Sequence, residues 1–275
     1  MTTTARQPVT SVEELKRAWL AVTQGQFRTN TNRVASPQAT QATDAARWSP
    51  HEPTVAVVGC GGGSGATTAS LAIATAHTTA HTGPVRVVEC CSVTQSGLAA
   101  ASSSELGLSQ GGWSRGSRGP VLLERVTDVL TCAAETPCPS QPDEAVALTV
   151  LDVGWELGQV LTSPGWLAGA VQGAAQVVLT ATATIPSLRR LEAAVQMLGP
   201  VPVCAAVLGP ARKKWPRALQ HSAGAVVREL EDDGALVMLP LDAHLAVSGL
   251  TPAGLPTPLL KAVTPIVQRV AERTL

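Results

Sequence analysis

Residues 55–68 read VAVVGCGGGSGATT, and an Ala/Thr-rich helical pattern continues from there to about Ala80. A short apolar run therefore leads into five glycines within residues 59–65, called the glycine loop below. A strand, a glycine loop and a helix in this order aim backbone N–H groups and a helix N-terminus at a phosphate group. Glycine is required because a side chain would block the close approach of the backbone. The stretch predicts a phosphate-binding loop.

The composition is that of a globular protein of 275 residues, with 45% hydrophobic residues and a formal net charge of zero. This length suits one large domain or two small ones. Zero net charge argues against broad electrostatic binding of nucleic acid. The first twenty residues contain no long apolar run, and the six cysteines include no CxxC pair. We therefore expect reduced thiols in a cytoplasmic protein.

A short helix is predicted over residues 11–25, where Ser11 and Glu14 form a capping box and apolar residues recur on one face. The following residues are rich in Thr, Ala, Asn, Gln and Pro and lack periodicity, which indicates a disordered linker. The apolar face of so short a helix needs a partner, either its own domain or another protein. We expect an N-terminal segment over 1–53 and an α/β domain over 54–275.

Apolar runs alternate with helical patterns throughout the predicted domain. Predicted strands cover 54–58, 85–89, 121–126, 146–150, 176–180, 201–208 and 235–239, and predicted helices cover 66–80, 167–175, 188–198, 216–232 and 259–273. Strands separated by helices predict a doubly wound, mostly parallel sheet with helices on both faces. Ligands bind at the carboxyl ends of such strands. We therefore expect the glycine loop, Glu89 and Asp152 to face one site.

The glycine loop can be aligned with either of two known phosphate-binding sequence patterns. The first is the dinucleotide fingerprint G-x-G-x-x-G/A, with an acidic residue about twenty residues later. Gly61, Gly63 and Ala66 fit its spacing, and Glu89 lies 23 residues past Ala66, at the end of the second predicted strand. This pattern predicts a protein that binds NAD or FAD.

The second pattern is the deviant Walker A motif, G-K-G-G-x-G-K-[TS]-T, which the loop resembles. That motif belongs to the ParA/MinD family of SIMIBI-class P-loop ATPases. The matching residues are Gly62, Gly63, Gly65, Thr67 and Thr68. Residues 85–98 resemble the family's second strand and switch I region, and LDVG at 151–154 resembles its Walker B and switch II stretch. The resemblance covers residues 54–275 in the order and spacing of elements.

The resemblance implies a site for ATP or ADP with Mg²⁺. Thr67 and Asp152 are the implied Mg²⁺ ligands, and Asp152 and Glu89 are the candidate catalytic residues. The resemblance also implies that the chain forms a homodimer. The implied nucleotide-binding residues are Gly61, Gly62, Gly63, Ser64, Gly65, Ala66, Thr67 and Thr68.

The chain departs from the family motif at the charged positions. Gly61 replaces the signature lysine, Ala66 replaces the P-loop lysine, and Cys91 stands where the family has its switch I acid. Phosphoryl transfer depends on positioned positive charge, and a thiol is a poor substitute for a carboxylate. We therefore expect a weak or non-hydrolysing nucleotide-binding regulator or scaffold, which acts through dimer or partner contacts.

An active but atypical ATPase is the alternative, with Arg115, Arg118 or Arg125 supplying the lost charge. A basic cluster after the strand 201–208 is a further candidate site. One interpretation is that its aromatic side chain stacks on a base. Another is that the loop 212–217 contacts nucleic acid or a membrane. The simpler interpretation is a solvated loop. The cluster consists of Arg212, Lys213, Lys214 and Trp215.

Overall fold

A computed structural model describes residues 48–274, except for residues 82 and 110 and the side chain of residue 274. These residues belong to the second of two compact units, Asp44–Leu275. The predicted helix at 11–25 and most of the predicted linker lie outside the described residues.

One sheet contains all nine strands of the described chain: β1 (Thr54–Gly59), β2 (Val85–Cys90), β3 (Ser104–Leu108), β4 (Trp113–Arg118), β5 (Val121–Val126), β6 (Leu148–Val153), β7 (Gln176–Thr182), β8 (Val203–Leu208) and β9 (Leu236–Leu239). Their order across the sheet is β3-β4-β5-β2-β6-β1-β7-β8-β9. Strand β4 runs antiparallel to β3 and β5, and every other neighbouring pair is parallel. All six residues of β2 and of β6 are buried. Because successive side chains point to opposite faces, both faces of the sheet are covered.

Eight α-helices in the described residues connect or flank these strands: α1 (Ala66–Ala80), α2 (Leu157–Thr162), α3 (Trp166–Gln172), α4 (Ile185–Leu198), α5 (Arg217–Ser222), α6 (Ala225–Asp232), α7 (Ala243–Ser248) and α8 (Thr257–Thr274). Helix α8 packs against α1, and α4 packs against β7. None of the described helices combines the length and apolar character that a membrane span requires. The prediction of a doubly wound, mostly parallel α/β fold is confirmed.

The structure contains two short helices, α2 and α7, that were not predicted, and it differs from the predicted elements in two further places. The irregular stretch 92–142 contains the antiparallel pair β3 and β4, in which β3 is exposed, β4 is partly buried and the glycine-containing sequence gives no alternating apolar signal. The predicted helix 216–232 is two helices, because the chain is extended at Gly224. A Cβ atom on Gly224 would collide with the Glu192 side chain. The packing of this segment against α4 therefore decides where helix α6 begins.

Residues 48–53, assigned to the linker from the sequence, pack on the domain. The rings of Trp48 and Trp166 meet edge to face at 5.2 Å. Glu52 forms an ion pair of 3.1 Å with Arg86, which is fully buried and also contacts Glu124 at 3.4 Å. This buried charge network joins the entry to β1 with β2 and β5.

Arg86→Ala is expected to destabilise the fold by about 3–5 kcal/mol, because it removes the buried cation that pairs with Glu52 and Glu124 and leaves Glu124 with Arg115 alone, at 3.5 Å. The free energy of unfolding in urea measures this effect. Arg189→Gln, at an exposed position, is the control and is expected to change stability by less than about 0.5 kcal/mol. Equal stability of the Arg86→Ala variant and the wild type would contradict the role given to this network.

Candidate phosphate-binding site

The glycine loop turns the chain from β1 into α1. Gly63 and Gly65 have φ angles of +72° and +85°, in the left-handed region, and Gly65 directly precedes the first residue of α1. A residue with a Cβ atom is strained in this region, so both positions require glycine. The predicted glycine loop thus adopts a tight turn that ends at a helix N-terminus.

Strand β7 holds the glycine loop in place. The hydroxyl groups of Ser64 and Thr180 are hydrogen-bonded at 2.8 Å, and the Cys60 amide donates to the Thr180 carbonyl at 2.9 Å. A Cβ atom on Gly59 would lie 2.9 Å from the Ser64 hydroxyl oxygen. The side chain of Ser64 therefore points into the protein and fixes the shape of the loop.

Backbone N–H groups of the loop are available to a ligand. Within the described residues, the amides of Gly62, Gly63 and Gly65 have no protein acceptor. The first turn of α1, from Ala66 to Thr68, has no side-chain cap. Such N–H groups carry the positive end of the helix dipole and favour an anion. They line a cleft of about 690 Å³, the loop cleft, whose other walls are residues 153–157 and helix α4.

Asp152 lies beneath the first turn of α1. It occupies the last but one position of β6, and its carboxylate accepts a hydrogen bond of 3.2 Å from the Ser70 hydroxyl. Burial and the charge of Glu89 raise the pKa of Asp152 to about 7, and the nearby side chains of Thr67 and Ser70 act in the opposite direction.

Glu89 is opposite Asp152 in the pairing of β2 with β6. Its carboxylate accepts hydrogen bonds from the Ser96 hydroxyl at 2.5 Å and from the amides of Gly97 and Leu98 at 2.6 and 3.0 Å. Burial raises the pKa of Glu89, and these bonds oppose that effect. A Cβ atom on Gly97 would lie 2.9 Å from Thr67 Cγ2. Glu89 thus positions the backbone of residues 96–98 against Thr67.

The residues present fit the Mg²⁺ ion that the resemblance implies. Thr67 and Asp152 offer a hydroxyl and a carboxylate oxygen, and the buried Asp152 carboxylate forms no ion pair within the described residues. Mg²⁺ is commonly held by one or two protein oxygens, with water and substrate phosphates completing the octahedron. The described residues contain no group of three or more His, Cys, Asp or Glu suited to a metal ion. Thr67 and Asp152 would therefore share the ion with a bound phosphate.

The thiol at the switch I position is unsuited to act as a base. Cys91 is buried, and a Cβ atom on Gly154 would lie 2.5 Å from Cys91 Cβ. Burial raises the pKa of the Cys91 thiol, and the carboxylates of Glu89 and Asp152 raise it further. The thiol therefore stays protonated at neutral pH and cannot take a proton from water.

The arginines expected to replace the missing lysines are engaged elsewhere. Arg115 pairs with Asp143 at 2.6 Å, and Arg125 pairs with Glu105 at 2.6 Å. Arg118 donates to the carbonyl of residue 253. None of these three lines the loop cleft.

Arg190 of helix α4 is the arginine that the structure brings to the glycine loop. Its Nη1 atom would lie 2.9 Å from a Cβ atom on Gly61, and its side chain lines the loop cleft. Arg190 was not among the predicted site residues, because Arg189 and Arg190 have the pattern of ordinary solvent-facing residues of a helix. No local sequence signal distinguishes them, since the packing of α4 on β7 decides which one faces the loop.

The basic cluster does not offer Trp215 for stacking, which corrects the prediction for this residue. Trp215 is 3% exposed, and its indole N–H donates to the Pro210 carbonyl at 3.1 Å. The guanidinium of Arg212 covers the ring at 4.4 Å and is itself paired with Glu231 at 3.1 Å. The aromatic ring therefore anchors the loop, and Lys213 and Lys214 stand outside the loop cleft.

The sheet order also separates the parts of the dinucleotide fingerprint. Strand β6 lies between β1 and β2, so Glu89 is on the second strand from the glycine loop, roughly 10 Å away across the sheet. Its carboxylate is already bonded to Ser96, Gly97 and Leu98. A ribose bound at the loop would find no acid on an adjacent β2.

The glycine loop after β1, the free N–H groups of α1 and the buried aspartate on the adjacent strand of a mostly parallel sheet define a fold of the P-loop class. No protein-family model matches the chain, and no curated protein sequence matches it. Solved structures that resemble it include a ParA family ATPase and a MinD cell division protein.

Three such structures show the extent of the likeness. A ParA family ATPase from Chlorobium tepidum TLS is 12% identical, over 79% of this chain and 98% of that one, with a TM-score of 0.49. The MinD cell division protein of Aquifex aeolicus is 15% identical, over 81% and 96%, with a TM-score of 0.48. An ATP complex of McdA from Cyanothece is 14% identical, over 82% and 98%, with a TM-score of 0.45. At this distance, function has to be inferred from the chain's own geometry.

Asp152→Asn is expected to reduce the pH dependence of stability. The pKa of Asp152 is raised from 3.8 to about 7 in the folded protein, so the folded state holds a proton that the unfolded state loses between pH 4 and 7. The free energy of unfolding of the wild type therefore falls as the pH rises through this window, by on the order of 1–4 kcal/mol from this group. Urea unfolding at pH 5 and pH 7.5, without nucleotide or metal, measures the difference between the two proteins.

Asp232→Asn, at an exposed position of α6, is the matched control and should keep the wild-type pH dependence. Comparison with the wild type cancels the contributions of other groups, including His77, whose pKa burial lowers. An Asp152→Asn variant with the wild-type slope would show that Asp152 is ionised throughout this range.

Proposed function

We propose that this chain binds a nucleoside diphosphate or triphosphate with Mg²⁺ at the glycine loop and acts as a regulator or scaffold with weak or no hydrolysis. The observation that carries the proposal is a set of unpaired loop and helix N–H groups beside a buried aspartate, in a loop without either family lysine. Binding machinery is present, and the charge used in catalysis is absent from the loop.

Phosphate binding is supported by groups that need no side chain. The amides of Gly62, Gly63 and Gly65 and the first turn of α1 converge on the loop cleft. Helix N-termini of this kind bind phosphate through N–H groups and the helix dipole together. Thr67 and Asp152 supply oxygens for a Mg²⁺ ion on the bound phosphates, which is the expected partner of ATP or ADP in such a site.

Weak hydrolysis follows from the groups that surround the phosphates. Ala66 offers no cation to the developing charge, and Cys91 offers no base. The carboxylate of Glu89 is committed to the backbone of residues 97 and 98. Because phosphoryl transfer is accelerated mainly by positioned charge, the loss of such groups lowers the rate by orders of magnitude.

Regulation would then depend on contacts that nucleotide binding changes. Gly97 packs so closely on Thr67 that a Cβ atom there would lie 2.9 Å from Thr67 Cγ2, so a Mg²⁺–nucleotide complex at Thr67 would affect the position of the segment that follows β2. A second copy of the chain, or a protein partner of the N-terminal helix predicted at 11–25, is the proposed recipient of that change.

Gly62→Ala is expected to weaken Mg-ATP binding more than tenfold, since a methyl group would stand where a phosphate approaches the backbone. No protein atom lies within 4 Å of a Cβ atom at Gly62, and its φ is not in the left-handed range, so the fold should be unaffected. Calorimetry with Mg-ATP, Mg-ADP and NAD measures binding, and thermal unfolding checks the fold. Gly254→Ala, also without a neighbour, is the control.

The wild type is expected to bind Mg-ATP and Mg-ADP in this experiment and not NAD. Binding of NAD alone would favour a dinucleotide-binding protein. Binding of none of the three ligands would refute the proposal.

Ala66→Lys is expected to tighten Mg-ATP binding by about tenfold, because it returns an ammonium group to the first residue of α1. Ala80→Lys adds the same charge at the exposed end of the same helix and should leave affinity unchanged.

Phosphate release by the wild type is expected to stay at the level of the Asp152→Asn variant. Steady turnover that Asp152→Asn abolishes would instead establish the chain as an active, atypical ATPase.

A further inference from the structure

We propose that Arg190 supplies the positive charge for the bound phosphates, in place of the lysines absent at positions 61 and 66. This inference rests on the proposed nucleotide site and names a side chain that determines its affinity. The cation would come from helix α4, across the loop cleft, and not from the loop itself.

The first support is the position of the guanidinium. Arg190 Nη1 would lie 2.9 Å from a Cβ atom on Gly61, closer than real Cβ atoms approach their neighbours. The guanidinium of Arg190, a cation from another element, therefore lies beside position 61 of the loop. Arg190 also lowers the pKa of the Cys60 thiol, against the larger effect of burial, which places its charge within electrostatic reach of the loop.

The second support is that no anion in the described part of the chain pairs with this charge. Among the described residues, no carboxylate forms an ion pair with Arg190, whereas Arg86, Arg115 and Arg125 are all paired. Glu156 also lines the loop cleft, but its carboxylate caps helix α2 by accepting from the Gln159 amide at 3.0 Å. An unpaired guanidinium on a cleft wall, facing free N–H donors, is suited to a phosphate.

The third support is that the backbone of Arg190 is fixed relative to the loop. Leu188 and Leu191 on either side are fully buried, and the Ser187 hydroxyl accepts from the Thr182 amide at the end of β7. Strand β7 also holds the glycine loop through Thr180. One strand therefore sets the distance between the loop and the start of α4, while the exposed side chain of Arg190 stays free to adjust to a ligand.

The test compares Mg-ATP affinity by calorimetry in the wild type, Arg190→Gln and Arg190→Lys. Arg190→Gln is expected to weaken binding by about tenfold or more, since a charge-assisted contact to phosphate is lost, and Arg190→Lys by less. Arg189→Gln removes the neighbouring charge, which does not line the cleft, and should stay within about twofold of the wild type. Affinity should also fall less steeply with added salt in Arg190→Gln than in the wild type.

A rescue variant separates charge from packing. Gly61→Lys combined with Arg190→Gln returns a cation to the vacated space and should recover most of the lost affinity. Gly61→Lys alone should gain little, because the new side chain meets Arg190. Since Arg190 is exposed, every variant at this position should keep the wild-type unfolding temperature.

Two further results would overturn the inference, and they are distinguishable. If Arg190→Gln binds Mg-ATP as tightly as the wild type while Gly62→Ala loses binding, the nucleotide site stands and the role of Arg190 does not. If the wild type binds neither Mg-ATP nor Mg-ADP, the proposed function and the inference fail together.

Discussion

The turn from β1 into α1 depends on the left-handed φ angles of Gly63 and Gly65, and the rest of the site depends on that turn. The hydrogen bond between Ser64 and Thr180 fixes the turn on the neighbouring strand β7. Because the turn ends at the first residue of α1, the unpaired N–H groups of that helix face the loop cleft. The same helix positions Thr67 relative to Asp152. A change in the turn would therefore displace the proposed phosphate donors together with Thr67.

Strand β2 has a buried arginine near one end and a buried glutamate near the other, and the two charges have different roles. At one end Arg86 is fully buried among carboxylates and contributes to the fold. At the other end Glu89 lies beside Asp152, and no ion pair neutralises either of these two carboxylates within the described residues. Their raised pKa values show the electrostatic cost of burial without a cation. The glycine loop and Arg190 provide positive potential above them, so a Mg²⁺–phosphate complex would complement both sides of the site.

The sequence by itself determined the fold class, the glycine loop and most strands. It could do so because these features are local: apolar runs alternate with helical patterns, and five glycines after a strand permit few other structures. The strand Val121–Val126 and the helix Ala66–Ala80 lie where the sequence placed them. It also identified which charged side chains are absent from the loop, since a missing lysine is visible without coordinates. The antiparallel pair β3 and β4 escaped because its exposed residues leave no apolar period.

Tertiary structure alone decided which side chains meet at the loop. Arg190 reaches Gly61 from a helix well over a hundred residues further along the chain, and nothing in its neighbourhood marks it apart from Arg189. Strand order, which no local pattern fixes, put β6 between β1 and β2 and so brought Asp152, not Glu89, beside the loop strand. Burial turned Trp215 from a candidate base-stacking residue into an anchor of its own loop. Such contacts arise from the packing of distant elements, and sequence periodicity carries no information about them.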